Sequence, residues 1–178
     1  MQDLSGYLRH IGFGRAPAVD LATLREVVLC HALSIPFENL DALTGRRISL
    51  DPADVERKLL HQGRGGWCFE QNLLLGNALR AIGFPVVDLA ARVVWGREAD
   101  VVAPRTHRVL KVRVDHRDWI VDVGFGGQTL TGVLDLACLE SQDTPHEPFR
   151  LRRLGDEHLM ESQVAGQWLP MFRFDLHP

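Results

Sequence analysis

The chain has 178 residues, of which 46% are hydrophobic and 24% charged, values that are ordinary for a protein of one or two small domains with a buried core. Its formal net charge of −3 speaks against a nucleic-acid-binding protein, and no apolar run approaches the ~18 residues that a membrane-spanning helix needs. No basic segment leads into an apolar one at the N-terminus, and the three cysteines are widely spaced, so we expect a cytoplasmic protein without disulfides or a zinc site.

The first half of the chain has the spacing of apolar residues that is typical of helices. Asp51 is a natural N-cap, and Pro52 follows it at the first helical position. The last of these helices should end at Gly83, because glycine is favoured directly after a helix and Pro85 cannot continue it. The predicted helical segments are "LSGYLRHIGF", "LATLREVVLCHALSI", "DPADVERKLL" and "CFEQNLLLGNALRAIGF".

The second half consists of short β-rich runs separated by Gly, Asp and Pro turns. Helices followed by strands predict an α+β protein, with an N-terminal helical bundle in residues 1–84 and an antiparallel β-barrel or sheet domain in residues 85–178. The predicted strands are "VVDLAARVVW", "HRVLKVRV", "WIVDVGF", "PFRLRRL", "HLMESQV" and "QWLPMFRF".

The segment "HQGRGGWCFEQN" has the features of a nucleophilic cysteine positioned at the N-terminus of a helix. Gly65 and Gly66 allow a tight turn just before a helix, which would place Cys68 in the first helical turn. The partial positive charge and free N–H groups of a helix N-terminus stabilise a thiolate and can serve as oxyanion donors. Both features favour a cysteine that attacks an acyl carbon.

A nucleophilic cysteine also needs a base and a group that orients the base. His107 and Asp122 are the candidates, because a carboxylate inside an apolar strand requires a partner. The order Cys68, His107, Asp122 matches the plan of papain-like thiol enzymes.

Local pairing does not establish this contact. If residues 115–118 form a four-residue turn, Asp122 lies opposite Lys111 and not opposite His107. A bulge, a longer loop or another register would then be needed.

Each candidate also has a structural interpretation. Cys30 and Cys138 are expected to be packing residues, because buried free cysteine is common. Taken singly, Cys68 could be another such residue, His107 a structural histidine and Asp122 a buried cap.

Four motifs in order resemble the arylamine N-acetyltransferase family, especially the bacterial members also described as N-hydroxyarylamine O-acetyltransferases. The cysteine motif has the family's form R-G-G-x-C-x-E-x-N, and the resemblance covers essentially the whole chain. The motifs are "SIPFENLD" (34–41), "RGGWCFEQN" (64–72), "THRVLKV" (106–112) and "VDVGFGGQTLT" (121–131).

The resemblance implies a ping-pong acetyl transfer with Cys68, His107 and Asp122 as the catalytic residues. Acetyl-CoA is the implied acetyl donor, and the acceptors are aromatic amines, hydrazines or hydroxylamines. It implies no metal and no permanently bound cofactor.

The resemblance also implies roles for residues around the cysteine. Arg64 and Glu38 correspond to an ion pair that joins two loops, although a surface pair of little energetic value is the competing interpretation. Glu70 and Asn72 are expected to be structural. Phe37, Val93 and Phe125 are implied to bind the aromatic substrate, and Trp95, Thr106 and Gly126 to lie near the CoA arm.

Members of the family continue into a third α/β domain, which this chain is expected to lack. We therefore expect weak or absent transfer, loss of the acetyl group to water, and self-association through exposed apolar surface. The alternatives are a transglutaminase-like or papain-like thiol hydrolase, and a non-catalytic fragment that binds an aromatic ligand.

Overall fold

The computed structural model describes residues 1–177, so that Pro178, the end of the second predicted domain, lies outside the described residues. Within residues 1–177, five α-helices and one π-helical turn come first, and seven strands follow. The helices are α1 (Leu4–His10), α2 (Leu21–Ser34), α3 (Leu40–Leu43), α4 (Pro52–Glu56) and α5 (Cys68–Ile82). The strands are β1 (Val86–Val93), β2 (Arg105–Val114), β3 (Arg117–Val121), β4 (Leu134–Asp135), β5 (Phe149–Leu154), β6 (Glu157–Val164) and β7 (Gln167–Phe174). The α+β class predicted from the sequence is confirmed.

The helix ends follow the local capping signals. The side chain of Asp51 accepts a hydrogen bond of 2.9 Å from the backbone N–H of Ala53, with Pro52 at the first helical position. The predicted helix then divides, because a π-helical turn at Arg57–His61 continues α4. Helix α5 ends at Gly83, whose φ of 115° lies in the left-handed region that glycine adopts without strain.

The seven strands form one antiparallel sheet in the order β4-β3-β2-β1-β7-β6-β5. The edge strands β4 and β5 also contact each other, so the sheet curls into an almost closed barrel. Helix α5 packs on the outside of this barrel against β1 and β2. Helix α5 ends at Ile82 and β1 begins at Val86, so the predicted domain boundary after residue 84 lies between them. The division of the chain into two domains at this point stays a prediction.

The two faces of β2 pack into different hydrophobic cores, one among the helices and one inside the barrel. Leu110 and Val112 point into the helical core, whereas Val109 belongs to the interior of the barrel. Successive side chains alternate between the faces of a strand, and His107 therefore shares the barrel face of β2 with Val109.

The hairpin between β2 and β3 differs from the expected four-residue turn. Val114 pairs with Arg117, which leaves a two-residue turn of Asp115 and His116. Both residues have positive φ values, 50° and 63°, as this tight turn requires. Strand β3 ends at Val121, so Asp122 follows the strand and does not lie within it.

The register between β2 and β3 explains how Asp122 can reach His107. Leu110 pairs with Val121, so continuing the pairing by one residue places Asp122 opposite Val109. It does not lie opposite Lys111, as a four-residue turn would require. Asp122 is therefore a diagonal neighbour of His107 on the same face, within reach of a side-chain contact.

A buried hydrogen-bond chain ties α5 to the first two helices. Tyr7 donates to Nδ1 of His31 at 2.9 Å, and Nε2 of His31 donates to Oε1 of Gln71 at 2.8 Å. The Gln71 amide donates in turn to the carbonyls of Ile35 and Pro36, which fixes the loop that follows α2. Burial lowers the pKa of His31 to about 4, although the hydrogen bond to Gln71 acts in the opposite direction.

We expect acidification to destabilise the fold through His31. Its pKa is about 4 in the folded chain and about 6.5 in an unfolded one. Between these values the unfolded state binds more protons, so stability is complete above about pH 6.5 and falls by up to roughly 3 kcal/mol towards pH 4. Urea unfolding of the wild type and of His31→Gln at pH 7.5 and pH 4.5 measures the difference. The variant should lose less stability on acidification, and an equal loss in both proteins would contradict the expectation.

Candidate active site

Cys68 is the first residue of α5, at the position expected from the sequence. A Cβ atom at Gly65 would lie 2.2 Å from the carbonyl oxygen of Pro36, and one at Gly66 would lie 2.9 Å from the Cβ of Glu70. Close packing of the loop therefore explains both glycines, rather than the tight turn that the sequence suggested. The loop also pairs with the segment after α2 through a backbone bridge between Phe37 and Gly66.

Charged side chains hold the cysteine loop against the segment after α2. Arg64 donates to carboxylate oxygens of Glu38 and Asp41, and the backbone N–H of Gly65 donates to Glu38 at 3.0 Å. The hydrogen bond from Arg64 is the main reason that the pKa of Asp41 falls to about 2. The Arg64–Glu38 pair is therefore part of a larger network.

Lys58, from the π-helical turn, extends this network to the start of α5. Its Nζ lies 2.9 Å from Asp41 and 2.8 Å from Glu70. Glu70 in turn accepts a hydrogen bond of 3.1 Å from the backbone N–H of Trp67, directly before the cysteine. These contacts fix the N-terminus of α5 against the helical part of the chain.

His107 and Asp122 form a buried pair. Nε2 of His107 lies 2.7 Å from Oδ2 of Asp122, and the two side chains are 2% and 0% exposed. A carboxylate removed from water needs hydrogen-bond donors for both of its oxygens. Oδ1 of Asp122 accepts from the backbone N–H of Gly124 and from the side-chain amide of Asn72, both at 2.8 Å.

Asn72 joins the acid to the cysteine helix. It lies one turn after Cys68 on α5 and is fully buried. Besides its bond to Asp122, its amide donates to the carbonyl of Arg108 at 2.6 Å, and its Oδ1 accepts from the N–H of Val123 at 3.1 Å. One side chain thus connects α5, β2 and the segment after β3.

Gly124 allows these elements to touch. A Cβ atom at this position would lie 2.6 Å from the Cα of Cys68 and 2.8 Å from the side-chain nitrogen of Asn72. Any larger residue would push the helix N-terminus away from the acid, so glycine is required by the contact itself.

Cys68 lies beside the imidazole. Its side chain is shielded, with the residue 8% exposed, and its Sγ lies 3.7 Å from the carbonyl oxygen of Thr106. Burial works against a charged His107, but the charge and hydrogen bond of Asp122 and the hydrogen bond with Cys68 outweigh it and raise the pKa of His107 to about 10. Since Nε2 faces Asp122, Nδ1 is the nitrogen that remains for the thiol.

Aromatic rings fix the plane of the imidazole. The Phe172 ring on β7 lies 4.9 Å from the His107 ring, tilted by 44°. The Phe125 ring meets it edge-on at 5.5 Å, and Trp95 packs on Phe125 at 6.0 Å. The histidine is therefore held by apolar contacts as well as by its hydrogen bonds.

A cavity of about 430 Å³ opens onto this group. Phe37, Val93 and Phe125, which the resemblance connects with the aromatic substrate, line it together with Trp95 and Thr106 from the expected CoA region. A Cβ atom at Gly126 would make an ordinary contact of 3.5 Å with the Phe37 ring, so the φ of 90° is the feature that favours glycine at this position. The full lining is Phe37, Cys68, Val93, Trp95, Thr106, His107, Gly124, Phe125, Gly127 and Gln128.

Several residues of the site could not be found by reading the sequence. Lys58 and Asp41 carry no local signal for their ion pairs, and Phe172 comes from the distant strand β7. Gln128 lies within the motif "VDVGFGGQTLT" (121–131), from which no role was assigned to it. Within residues 1–177 no group of three or more His, Cys, Asp or Glu side chains is arranged to hold a metal ion, and no helix there is long and apolar enough to cross a membrane.

The amino-acid sequence is similar to those of several known proteins. A family model described as N-acetyltransferase matches residues 20–178. The arylamine N-acetyltransferase of Mycolicibacterium smegmatis is 47% identical over 180 residues, which are 99% of this chain and 66% of the relative. The arylamine N-acetyltransferase / N-hydroxyarylamine O-acetyltransferase of Salmonella typhimurium is 48% identical over 153 residues, 86% of this chain and 54% of the relative.

Solved structures agree with these relatives. The M. smegmatis arylamine N-acetyltransferase superposes with a TM-score of 0.93 at 46% identity, over 99% of this chain and 66% of that one. The Mycobacterium marinum arylamine N-acetyltransferase in complex with CoA has a TM-score of 0.93 at 38% identity, over 98% and 66% of the two chains. The chain thus spans between 54% and 66% of the length of these relatives.

Replacing Asp122 with Asn should slow the alkylation of Cys68. Without the carboxylate, His107 loses the charge that keeps it protonated, and the imidazolium no longer favours a thiolate beside it. We expect the rate of reaction with iodoacetamide at pH 6 to fall at least about tenfold, as measured by peptide mass spectrometry.

The matched control is Asp118→Asn, which removes a carboxylate that pairs with Arg113 on the hairpin. It should leave the rate unchanged. Equal rates in the wild type and Asp122→Asn would show that the acid does not act on the thiol through His107.

Proposed function

The chain belongs to the arylamine N-acetyltransferase family, and on that premise we propose that it carries an acetyl group from acetyl-CoA to aromatic amines, hydrazines or N-hydroxyarylamines by way of Cys68. The observation that carries the proposal is the position of the thiol. Cys68 begins α5 and lines a cavity of about 430 Å³ together with His107, whose Nε2 is held by Asp122.

In the first step that we propose, the thiolate of Cys68 attacks the carbonyl carbon of the thioester. A carbon–sulfur bond forms to the protein as the bond to CoA breaks, and His107 supplies the proton that the departing thiolate takes up. One thioester replaces another, so this step is close to balanced in free energy. Free N–H groups at the start of α5 would stabilise the oxyanion.

In the second step the amine attacks the acetyl-cysteine. A carbon–nitrogen bond forms, the carbon–sulfur bond breaks, and the proton lost by the amine returns to His107, which restores the starting pair. CoA leaves before the amine reacts, and the acetyl group stays on Cys68 between the two steps, which makes the cycle ping-pong. Acetyl-CoA is a substrate in this scheme, and no permanently bound cofactor takes part.

The walls of the cavity suit these substrates. Phe37, Val93 and Phe125 supply apolar surface against which an aromatic ring can pack. Trp95 and Thr106, on the same cavity, and the neighbouring Gly126 are proposed to contact the CoA arm. The Arg64–Glu38 pair would support the cysteine loop without touching either substrate.

A papain-like or transglutaminase-like hydrolase would use the same three catalytic residues. The family match over residues 20–178 favours the transferase. We also propose a cytoplasmic location, because a reducing compartment protects a thiol nucleophile and the other free cysteines from oxidation. The partners that we propose are small molecules, neither nucleic acid nor membrane, and further copies of the chain. Leu43 and Val102, which are 77% and 80% exposed, could contribute to such self-association.

Incubation with acetyl-CoA should add a single acetyl group to the protein. Intact-mass analysis measures the addition, and peptide mapping should place it on Cys68. Cys68→Ala should remain unmodified, whereas Cys30→Ala should be labelled like the wild type, because burial raises the pKa of the Cys30 thiol and no base accompanies it. Labelling of the Cys68→Ala variant, or none of the wild type, would contradict the proposed function.

We expect the acetyl group to be lost to water at a rate comparable to its transfer. Phe37 and Trp95 at the cavity are 42% and 40% exposed, so water reaches the thioester that an enclosed site would protect. The measurement is CoA release from acetyl-CoA with and without an excess of aniline. An increase of much more than about tenfold on adding aniline would show efficient transfer by this chain and contradict the expectation.

A further inference from the structure

We propose that Gln128 accepts a hydrogen bond from the acyl acceptor, so that aromatic amines carrying a second N–H or O–H group bind preferentially. The inference rests on the proposed function, because it concerns the cavity in which the acceptor would bind. It adds a preference within the class of aromatic amines.

The first observation is an acceptor atom without a donor. Gln128 is half-buried and lines the cavity that contains Cys68. Its Oε1 is shielded from solvent and receives no hydrogen bond from any of residues 1–177. A shielded carbonyl oxygen has lost its bonds to water without replacing them, which is unfavourable. A ligand that supplies a donor removes this cost.

The second observation is that other polar groups near the thiol are already engaged. His107 is bonded to Asp122, and Sγ of Cys68 faces the carbonyl oxygen of Thr106. Thr129, directly after Gln128, donates its hydroxyl to the carbonyl of Gly126 at 2.6 Å. The Oε1 of Gln128, in contrast, has no donor among residues 1–177.

The apolar walls increase the value of such a bond. Phe37, Val93, Trp95 and Phe125 line the cavity, and a hydrogen bond near such low-polarity surface is stronger than one in bulk water. The terminal torsion of a glutamine side chain is broad, so rotation of the carboxamide can bring Oε1 from its shielded position into the cavity when a donor is bound there. The attacking nitrogen of the acceptor must face Cys68, and Gln128 therefore recognises a different group on the same molecule.

A hydrogen-bond donor for Gln128 could also come from CoA, because the pantetheine arm of CoA carries amide N–H groups. A ring substituent and a pantetheine amide are distinguished by measuring each separately. We assign the bond to the ring substituent, and a separate titration with pantetheine tests the other source, because the cavity contains Phe37 and Phe125 as well as Trp95 and Thr106.

The test is a binding measurement in the Cys68→Ala protein, which cannot take up an acetyl group. Ligand-observed NMR titrations compare 4-aminophenol with 4-fluoroaniline, which is similar in size but has no second donor. We expect 4-aminophenol to bind about tenfold more tightly. Adding Gln128→Leu should reduce this ratio to less than about twofold and leave 4-fluoroaniline unaffected, while Gln128→Glu should retain the preference.

Three results would overturn the proposal. They are a ratio near one with Gln128 present, a ratio that survives Gln128→Leu, and a loss of affinity for pantetheine instead of 4-aminophenol in that variant. Since no acetyl transfer takes place in this protein, the outcome is independent of the labelling experiment on Cys68. A failure of the proposed function is therefore distinguishable from a failure of the proposed role of Gln128.

Discussion

The carboxylate of Asp122 is the constraint around which the site is built. It has no exposed surface, so folding is favourable only if its charge and both of its oxygens are satisfied inside the protein. His107 supplies the opposite charge, and Asn72 and the N–H of Gly124 supply the remaining bonds. These partners come from β2, from α5 and from the segment after β3. Satisfying one acid therefore aligns the helix that carries the thiol with the strand that carries the base.

The charged network on the other side of Cys68 complements this arrangement. Lys58, Asp41 and Glu70 hold the start of α5 from the helical part of the chain, while Asn72 holds it from the sheet. The first group is partly accessible to water, where ion pairs contribute little individually. Its effect is mainly geometric, because the carboxylate of Glu70 bonds the backbone N–H directly before the cysteine.

Much of the fold could be predicted from local sequence signals, whereas the contacts between residues far apart in the chain could not. The cap at Asp51, the helix end at Gly83 and the position of Cys68 all follow from signals within a few residues. The turn at Asp115 and His116 lacks the glycine that usually marks a two-residue hairpin, and the sequence therefore left the register of this hairpin open. Lys58, Phe172 and Gln128 act through contacts that only the folded chain creates, which explains why sequence patterns left them unassigned.

The contact between Phe172 and His107 has a consequence for the order in which the site is assembled. During synthesis the nucleophile emerges first, then the base and the acid, and the ring that supports the base comes with the seventh strand. A nascent chain that has reached Asp122 carries all three reactive groups but lacks the wall behind the imidazole. The support behind the imidazole is therefore complete only once the seventh strand has joined the barrel.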